Sequence, residues 1–209
     1  MNNVSICFDF DGTLVKSEES ILFCLNEVLR EHKILSIVPL NNSVIGPPLQ
    51  DILKLVTGYS DANTLESLAT DFKKKYDTEA YKTVLSYEGI QELLSFLKES
   101  QYKINIATNK RINATKKIIS HLAWDNYFEE IIAIDSSNPP FKNKSNMLAL
   151  LAQKQKMIYI GDTKNDFMAA NENKIDFIGA GWGYGDNDFK NSNDFIVFKS
   201  PVEVINHLT

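Results

Sequence analysis

Long apolar runs are missing from this 209-residue chain. No stretch reaches the eighteen or so residues that a membrane-spanning helix requires. The first apolar segment, Val4-Ser5-Ile6-Cys7-Phe8, is short and runs directly into Asp9. With no basic segment ahead of it, it reads as a core strand and not as a signal peptide, so no membrane association is expected. Cysteine is scarce: Cys7 and Cys24 are too few for a disulfide framework, and two buried thiols in a reducing cytoplasm are expected. The three histidines, His32, His121 and His207, have no ligand spacing and receive no metal role. Excess positive charge is absent too. A net charge of −5 argues against nucleic acid as a partner, which would want a basic face. The one dense basic run, Lys73-Lys74-Lys75, lies in a helical pattern flanked by Asp71 and Asp77, as on a solvated helix face. Neither an internal repeat nor a low-complexity tract is visible.

What is present is the composition of an ordinary globular domain, 44% hydrophobic and 23% charged, with length left over for an insertion. After Thr13, residues Ile21, Leu22, Leu25, Val28 and Leu29 recur at helical spacing, with Ser17 as cap and Glu18 and Glu19 in the first turn. The turn-rich Pro39 to Ser43 and the segment Gly46-Pro47-Pro48-Leu49 follow, then helical patterns over Leu49 to Val56 and Asp61 to about Tyr81. No strand of convincing length falls between Thr13 and Thr83, so that stretch reads as an all-helical insertion. From Tyr87 onward the chain alternates. Helices are expected at Glu88–Glu99, Asn113–Ser120, Ser145–Gln153 and Thr163–Asn173, and strands at Lys103–Ala107, Glu130–Ile134, Met157–Ile160 and Asp176–Ile178. Such alternation implies α/β architecture, a parallel sheet covered on both faces, with the ligand beyond the carboxyl ends of the strands.

Those ends carry the chemistry. Asp9-Phe10-Asp11-Gly12-Thr13 follows the first strand, and Met157-Ile158-Tyr159-Ile160 runs into Gly161-Asp162-Thr163-Lys164-Asn165-Asp166. Alone, Asp-Gly after a strand is a turn signal and Gly-Asp before a helix an N-cap. Together they gather four aspartates that repel by roughly 4 kcal/mol per pair at about 4 Å and an effective dielectric near 20. A compensating hard cation is expected, Mg²⁺ being the natural candidate. The chain therefore reads as a magnesium-dependent phosphoryl-transfer enzyme. Gly181-Trp182-Gly183-Tyr184-Gly185 leads into Asp186-Asn187-Asp188 and not into a helix, so it is read as a surface loop beside the crevice, not a dinucleotide site.

On these motifs the chain resembles the haloacid dehalogenase-type hydrolase superfamily, in its phosphoglycolate phosphatase-like branch with an inserted helical cap. The resemblance implies a Rossmann-like core over 1–14 and 84–209 and a helical cap over 15–83. It implies Asp9 as nucleophile, already ionised at neutral pH if unperturbed, and Asp11 as general acid and base. Asp9, Asp11 (through its backbone carbonyl) and Asp162 would hold Mg²⁺, with Asp166 supporting that shell directly or through water. The strand end Ile104-Asn105-Ile106-Ala107-Thr108-Asn109-Lys110 supplies Thr108 and Asn109 for phosphate oxygens, and Gly46 and Pro47 fall on the cap side of the substrate pocket. A catalytic lysine is also needed. Lys142 and Lys144 both match, Lys144 by directly preceding its helix, and the reading leans to Lys144. Lys16, where many relatives are acidic, is a departure near the cap hinge. The implied reaction is hydrolysis of a small phosphorylated metabolite. A phosphosugar mutase of the same superfamily is the enzyme alternative, and an idle regulatory or receiver-like phosphate-binding protein the non-enzyme one. A dehalogenase need not keep Asp11, and a receiver domain would not carry the helical insertion.

Overall fold

The first strand, β1 (Val4–Phe8), shows why the sheet must lie at the centre of the molecule. Ile6 and Phe8 pack into one buried cluster with Ile104, Ile106 and Ile160. Cys7 points the other way, into a second cluster with Ala107, Met157 and Tyr159. Successive side chains alternate between faces, and here both faces are apolar, as a parallel sheet between helices requires. In this computed structural model residues 4–185, Phe189 and residues 194–209 are described. Asp186-Asn187-Asp188, named above as a loop continuation, lie outside the described residues.

A two-residue strand, β2 (Val15–Lys16), leads into three helices, α1 (Glu18–Glu31), α2 (Leu49–Thr57) and α3 (Ala62–Thr78). Helix α1 carries Glu18 and Glu19 in its first turn and Arg30 in its last, matching the helix dipole. Its buried face is Ile21, Cys24, Leu25, Val28 and Leu29. Helix α3 is capped by Asp61, whose carboxylate accepts the Thr64 N–H at 2.8 Å. The three helices pack mainly on one another through α3. The chain returns through β3 (Leu85–Ser86), antiparallel to β2. Then come α4 (Ile90–Glu99), β4 (Ile104–Thr108), α5 (Ile112–His121), β5 (Glu130–Ala133), α6 (Lys144–Ala152), β6 (Lys156–Gly161), α7 (Lys164–Glu172), β7 (Asp176–Ala180), β8 (Ile196–Phe198) and α8 (Pro201–Leu208).

The main sheet runs β5-β4-β1-β6-β7-β8, every pairing parallel. Strand β1 sits between β4 and β6, with Ile6 opposite both Ile104 and Ile158. The ends of these three strands therefore stand side by side. Between Thr13 and Thr83, where no strand of convincing length is expected, the structure has only the two-residue β2, too short to show a period. The helical pattern read to Tyr81 stops at Thr78, and a 3-10 turn over Ala80–Thr83 replaces its end. Strand β8 and helix α8 were not anticipated. Cys7 and Cys24 are buried free thiols, as expected, and no helix among the described residues is long and apolar enough to cross a membrane.

Candidate active site

Asp9 follows β1 directly, and its N–H donates to the Ile160 carbonyl of β6 at 2.8 Å. The turn after it comes very close to the end of β6. Gly12 has φ +85°, and a side chain there would run into the Asp162 carboxylate, so glycine is required both by conformation and by space. Thr13 Oγ1 then donates to Asp162 Oδ1 at 3.0 Å. Two sequence motifs about 150 residues apart are thereby fastened to each other.

Asp9, Asp162 and Asp166 form one buried acidic group, with one carboxylate oxygen of each lying within 4.8 Å of the others. Lys144 enters it as a cation. Lys144 Nζ stands 2.9 Å from Asp9 Oδ1 and 2.5 Å from Asp166 Oδ1. Asp166 is fully engaged by its own surroundings. Its Oδ1 accepts from Lys144 and the Tyr159 hydroxyl, and its Oδ2 from the Thr163 N–H and hydroxyl in a capping box at the start of α7. A carboxylate offers about four lone-pair positions, so these four bonds fill them. Asp162 keeps open positions, accepting only from Thr13 and, at 2.9 Å, from the Tyr184 N–H among the bonds described.

The electrostatics follow from three carboxylates facing one ammonium. Burial pushes Asp9 well above the ordinary carboxylate range; Lys144 pulls it down and Asp166 pushes it up again. Burial likewise raises Asp162, with Asp166 and Asp9 adding to the shift. For Lys144, burial lowers the pKa, but Asp166 and Asp9 outweigh it and hold the amine protonated. Asp9 is therefore not an unperturbed carboxyl, and without further positive charge its burial opposes ionisation. A buried set short of positive charge, with open oxygens on Asp9 and Asp162, fits a hard divalent cation in its donor chemistry.

Asp11 points elsewhere, although it is only two residues from Asp9. Its carboxylate accepts from Ser17 Oγ at 2.5 Å and from Lys110 Nζ at 3.0 and 3.3 Å. Lys110 lies 4.5 Å from the centre of the Tyr76 ring on α3. Ser17 does stand at the N-cap position of α1, but its hydroxyl serves Asp11 and makes no cap bond, a correction to its expected role.

Thr108 is buried at the end of β4, where its Oγ1 accepts the Lys110 N–H at 3.1 Å. Asn109 donates from Nδ2 to the Gly46 carbonyl at 2.9 Å, which ties the loop before α2 to this strand end. Asp9, Asp11, Thr108, Asn109, Gly46 and Pro47 all line one cavity of about 360 Å³. Of the two candidate lysines only Lys144 reaches the acidic group. Lys142 is exposed and is not brought to the site, because it precedes the helix start that turns Lys144 inward.

Three contributors escaped sequence reasoning. Lys110 carried a signal, since a lysine just past the end of a central parallel strand faces the ligand crevice. Arg111, which also lines the cavity, grips Asp77 at the end of α3 through two bonds of 2.7 and 3.1 Å. The segment 181–185 lies beside the crevice as expected, but its part in fixing the acidic group was not anticipated. Besides the Tyr184 N–H on Asp162, Trp182 Nε1 donates to the Thr13 carbonyl at 2.9 Å, and Tyr184 Oη accepts the Ser17 N–H and donates to Glu18. Any side chain at Gly183 would strike the Gly12 carbonyl and Asp162.

Residues 6–180 match the model of a protein family described as haloacid dehalogenase-like hydrolase. The tyrosine-protein kinase PtkA of Mycobacterium tuberculosis is 28% identical over 192 residues, which cover 88% of this chain, while the chain spans only 64% of that relative's length. A phosphoglycolate phosphatase of Xanthomonas campestris pv. campestris is 26% identical over 194 residues, covering 88% of this chain and 86% of the relative. Among solved structures, a predicted phosphatase from Clostridium acetobutylicum superposes with a TM-score of 0.85 at 26% identity, covering 98% of this chain and 97% of the other. The family match takes in both aspartate motifs, Thr108 and Lys144, and the chain belongs to the haloacid dehalogenase-like hydrolase family.

Proposed function

We propose that this chain is a Mg²⁺-dependent phosphatase that hydrolyses a small phosphomonoester, of the size of phosphoglycolate, through an aspartyl-phosphate on Asp9. The observation that carries the reading is the buried Asp9–Lys144–Asp166 arrangement at the rim of a cavity that Asp11 and Thr108 also line. Asp9 attacks phosphorus through its carboxylate oxygen, and the bond from phosphorus to the leaving oxygen breaks. Asp11 gives a proton to that oxygen, then takes one from the water that attacks the aspartyl-phosphate. Inorganic phosphate leaves and Asp9 is restored. Thr108 and Asn109 orient the phosphoryl oxygens and Lys144 neutralises them, since phosphoryl transfer is mostly positioning and charge stabilisation. Asp9, Asp162 and the Asp11 backbone carbonyl would hold Mg²⁺, which when bound supplies positive charge to the nucleophile and the phosphoryl group. Asp166, its oxygens filled by neighbours, acts by holding Lys144.

The helical stretch 15–83 serves as a lid on a core of 1–14 and 84–209. Supporting this, its helices pack chiefly on one another, and the chain crosses between the two parts at the paired strands β2 and β3. Closure over the ester keeps bulk water out. The two free, buried thiols suit a reducing cytoplasm.

The test is release of inorganic phosphate from 2-phosphoglycolate, a hexose phosphate and a nucleoside monophosphate, with and without Mg²⁺. Chelation is expected to abolish turnover and Mg²⁺ to restore it, with Ca²⁺ a poor substitute and compact esters preferred over the nucleotide. Asp9→Asn should keep the fold and lose activity about a thousandfold or more. Full activity in excess chelator, or near-normal turnover of Asp9→Asn without reversion by deamidation, overturns the reading. A phosphorylated isomer as product, in place of inorganic phosphate, identifies a mutase.

A further inference from the structure

The cavity into which Asp9 and Asp11 open has two unlike ends. Its volume of about 360 Å³ is more than twice the ~150 Å³ of an apolar site that holds benzene, so a phosphoryl group leaves much of it to be filled. Away from the strand ends the wall is made by Ile21 of α1, Ile45, Leu49 and Ile52 at and before α2, and Phe72 and Tyr76 of α3. Of these side chains only Tyr76 carries a polar atom, its hydroxyl 3.3 Å from Ser20 Oγ, and the polar lining on the same side, Gln50, Glu66 and Lys73, is paired within itself.

Charge points the same way. The cations lining the cavity are Lys73, Lys110 and Arg111, and each already has a carboxylate. Lys73 faces Glu66 at 3.1 Å, Lys110 faces Asp11 at 3.0 Å, and Arg111 clasps Asp77 with two bonds, the shorter 2.7 Å. A second anionic group on the substrate would share a cation whose charge a carboxylate already offsets, or lie uncompensated against the apolar wall, which is costly. A polyol would leave its hydroxyls unpaired there. An apolar group instead frees water from these walls.

We infer that the leaving group of the substrate is an uncharged, apolar alcohol, a short alkyl chain or a single ring, and that the walls formed by Ile21, Ile45, Ile52 and Phe72 select it. The inference rests on the phosphatase reading for its chemistry, but concerns only the lid half of the cavity. It narrows the class of small phosphoesters to those whose second end carries no charge.

Steady-state kinetics on the wild-type protein with Mg²⁺ test it, using methyl, propyl, hexyl and benzyl phosphate. Isobutyl phosphate, which matches 2-phosphoglycolate in shape but lacks its carboxylate charge, gives the direct comparison. From methyl to hexyl, kcat/KM should rise about fourfold per methylene until the cavity is full, and isobutyl phosphate should exceed 2-phosphoglycolate about tenfold or more. A flat or falling series, or 2-phosphoglycolate ahead of isobutyl phosphate, overturns the inference. If no ester is hydrolysed, the phosphatase reading fails. Titration calorimetry with methyl-, propyl- and hexylphosphonate against phosphonoacetate then tests the pocket alone: affinity rising with chain length upholds its apolar selectivity, and equal affinities overturn it.

Discussion

Two aspartates two residues apart each face a buried lysine, yet the two pairs are built to opposite ends. Around Asp9, three buried carboxylates share Lys144, and burial raises both Asp9 and Asp162. Around Asp11, one carboxylate meets one lysine, with the Ser17 hydroxyl and the Tyr76 ring completing the set. The inner cluster is short of positive charge, whereas the outer one is balanced. An ion pair by itself therefore says little about role. The sum of charges within reach decides whether a cluster recruits a cation or simply fixes a side chain in place.

Removing the inner lysine should have the largest effect. Lys144→Met strands the buried carboxylates and should cost about 3–5 kcal/mol of stability, measured by urea denaturation without metal, together with nearly all activity. Mg²⁺ should restore more stability to this variant than it adds to the wild type. Wild-type stability without metal would mean that the inner cluster has no charge deficit. Lys142→Ala, in the same segment but exposed, should change neither quantity.

The outer lysine should matter less to the fold. Lys110→Met is expected to lower kcat about tenfold to a hundredfold, part of what acid–base catalysis supplies, and to cost about 1–2 kcal/mol, since Asp11 keeps Ser17 and borders the cavity. Equal stability losses in the two lysine variants would erase the distinction between the clusters.

Smallest of all should be the Arg111–Asp77 clasp between α5 and α3. Burial raises the Asp77 carboxyl, but Arg111 and then Asn113 and Lys117 outweigh it and hold it below the ordinary value. A depressed carboxyl stabilises the fold above its unfolded pKa of about 4 and loses that contribution as pH falls through the lower folded value. Asp77→Asn should thus cost about 1 kcal/mol near pH 7, and its Tm gap from the wild type should shrink on acidification below about pH 4. A gap that widens there would show that the clasp does not work through the Asp77 charge.

How much of this was legible in the sequence depended on distance along the chain. The α/β core announced itself through alternation, and Asp9 and Asp162 through aspartates placed just past apolar runs. Lys144 could be favoured over Lys142 because it borders the helix that turns it inward. Features made by pairing distant residues left no periodic mark: Lys110 with Asp11, Arg111 with Asp77, and Tyr184 with both Asp162 and Ser17. Ser17 looked like a cap because it occupies a cap position. Nothing local tells that its hydroxyl is claimed by a carboxylate six residues earlier. Strands β2, β3 and β8, at two or three residues each, are shorter than the pattern needed to recognise them.

The central place of β1 in the sheet has a consequence for how the molecule is made. On the ribosome β1 emerges ahead of both of its partners, β4 following about a hundred and β6 about a hundred and fifty residues later. Until then both of its apolar faces and both of its edges stay unsatisfied, a hazard for a nascent chain. Helices α1 to α3, whose contacts are largely local, come out in between and can form early, because short-range contacts close fastest. The strand that carries Asp9 is thus enclosed long after it is made, and the acidic cluster cannot assemble until β6 and the start of α7, with Asp162 and Asp166, have left the exit tunnel.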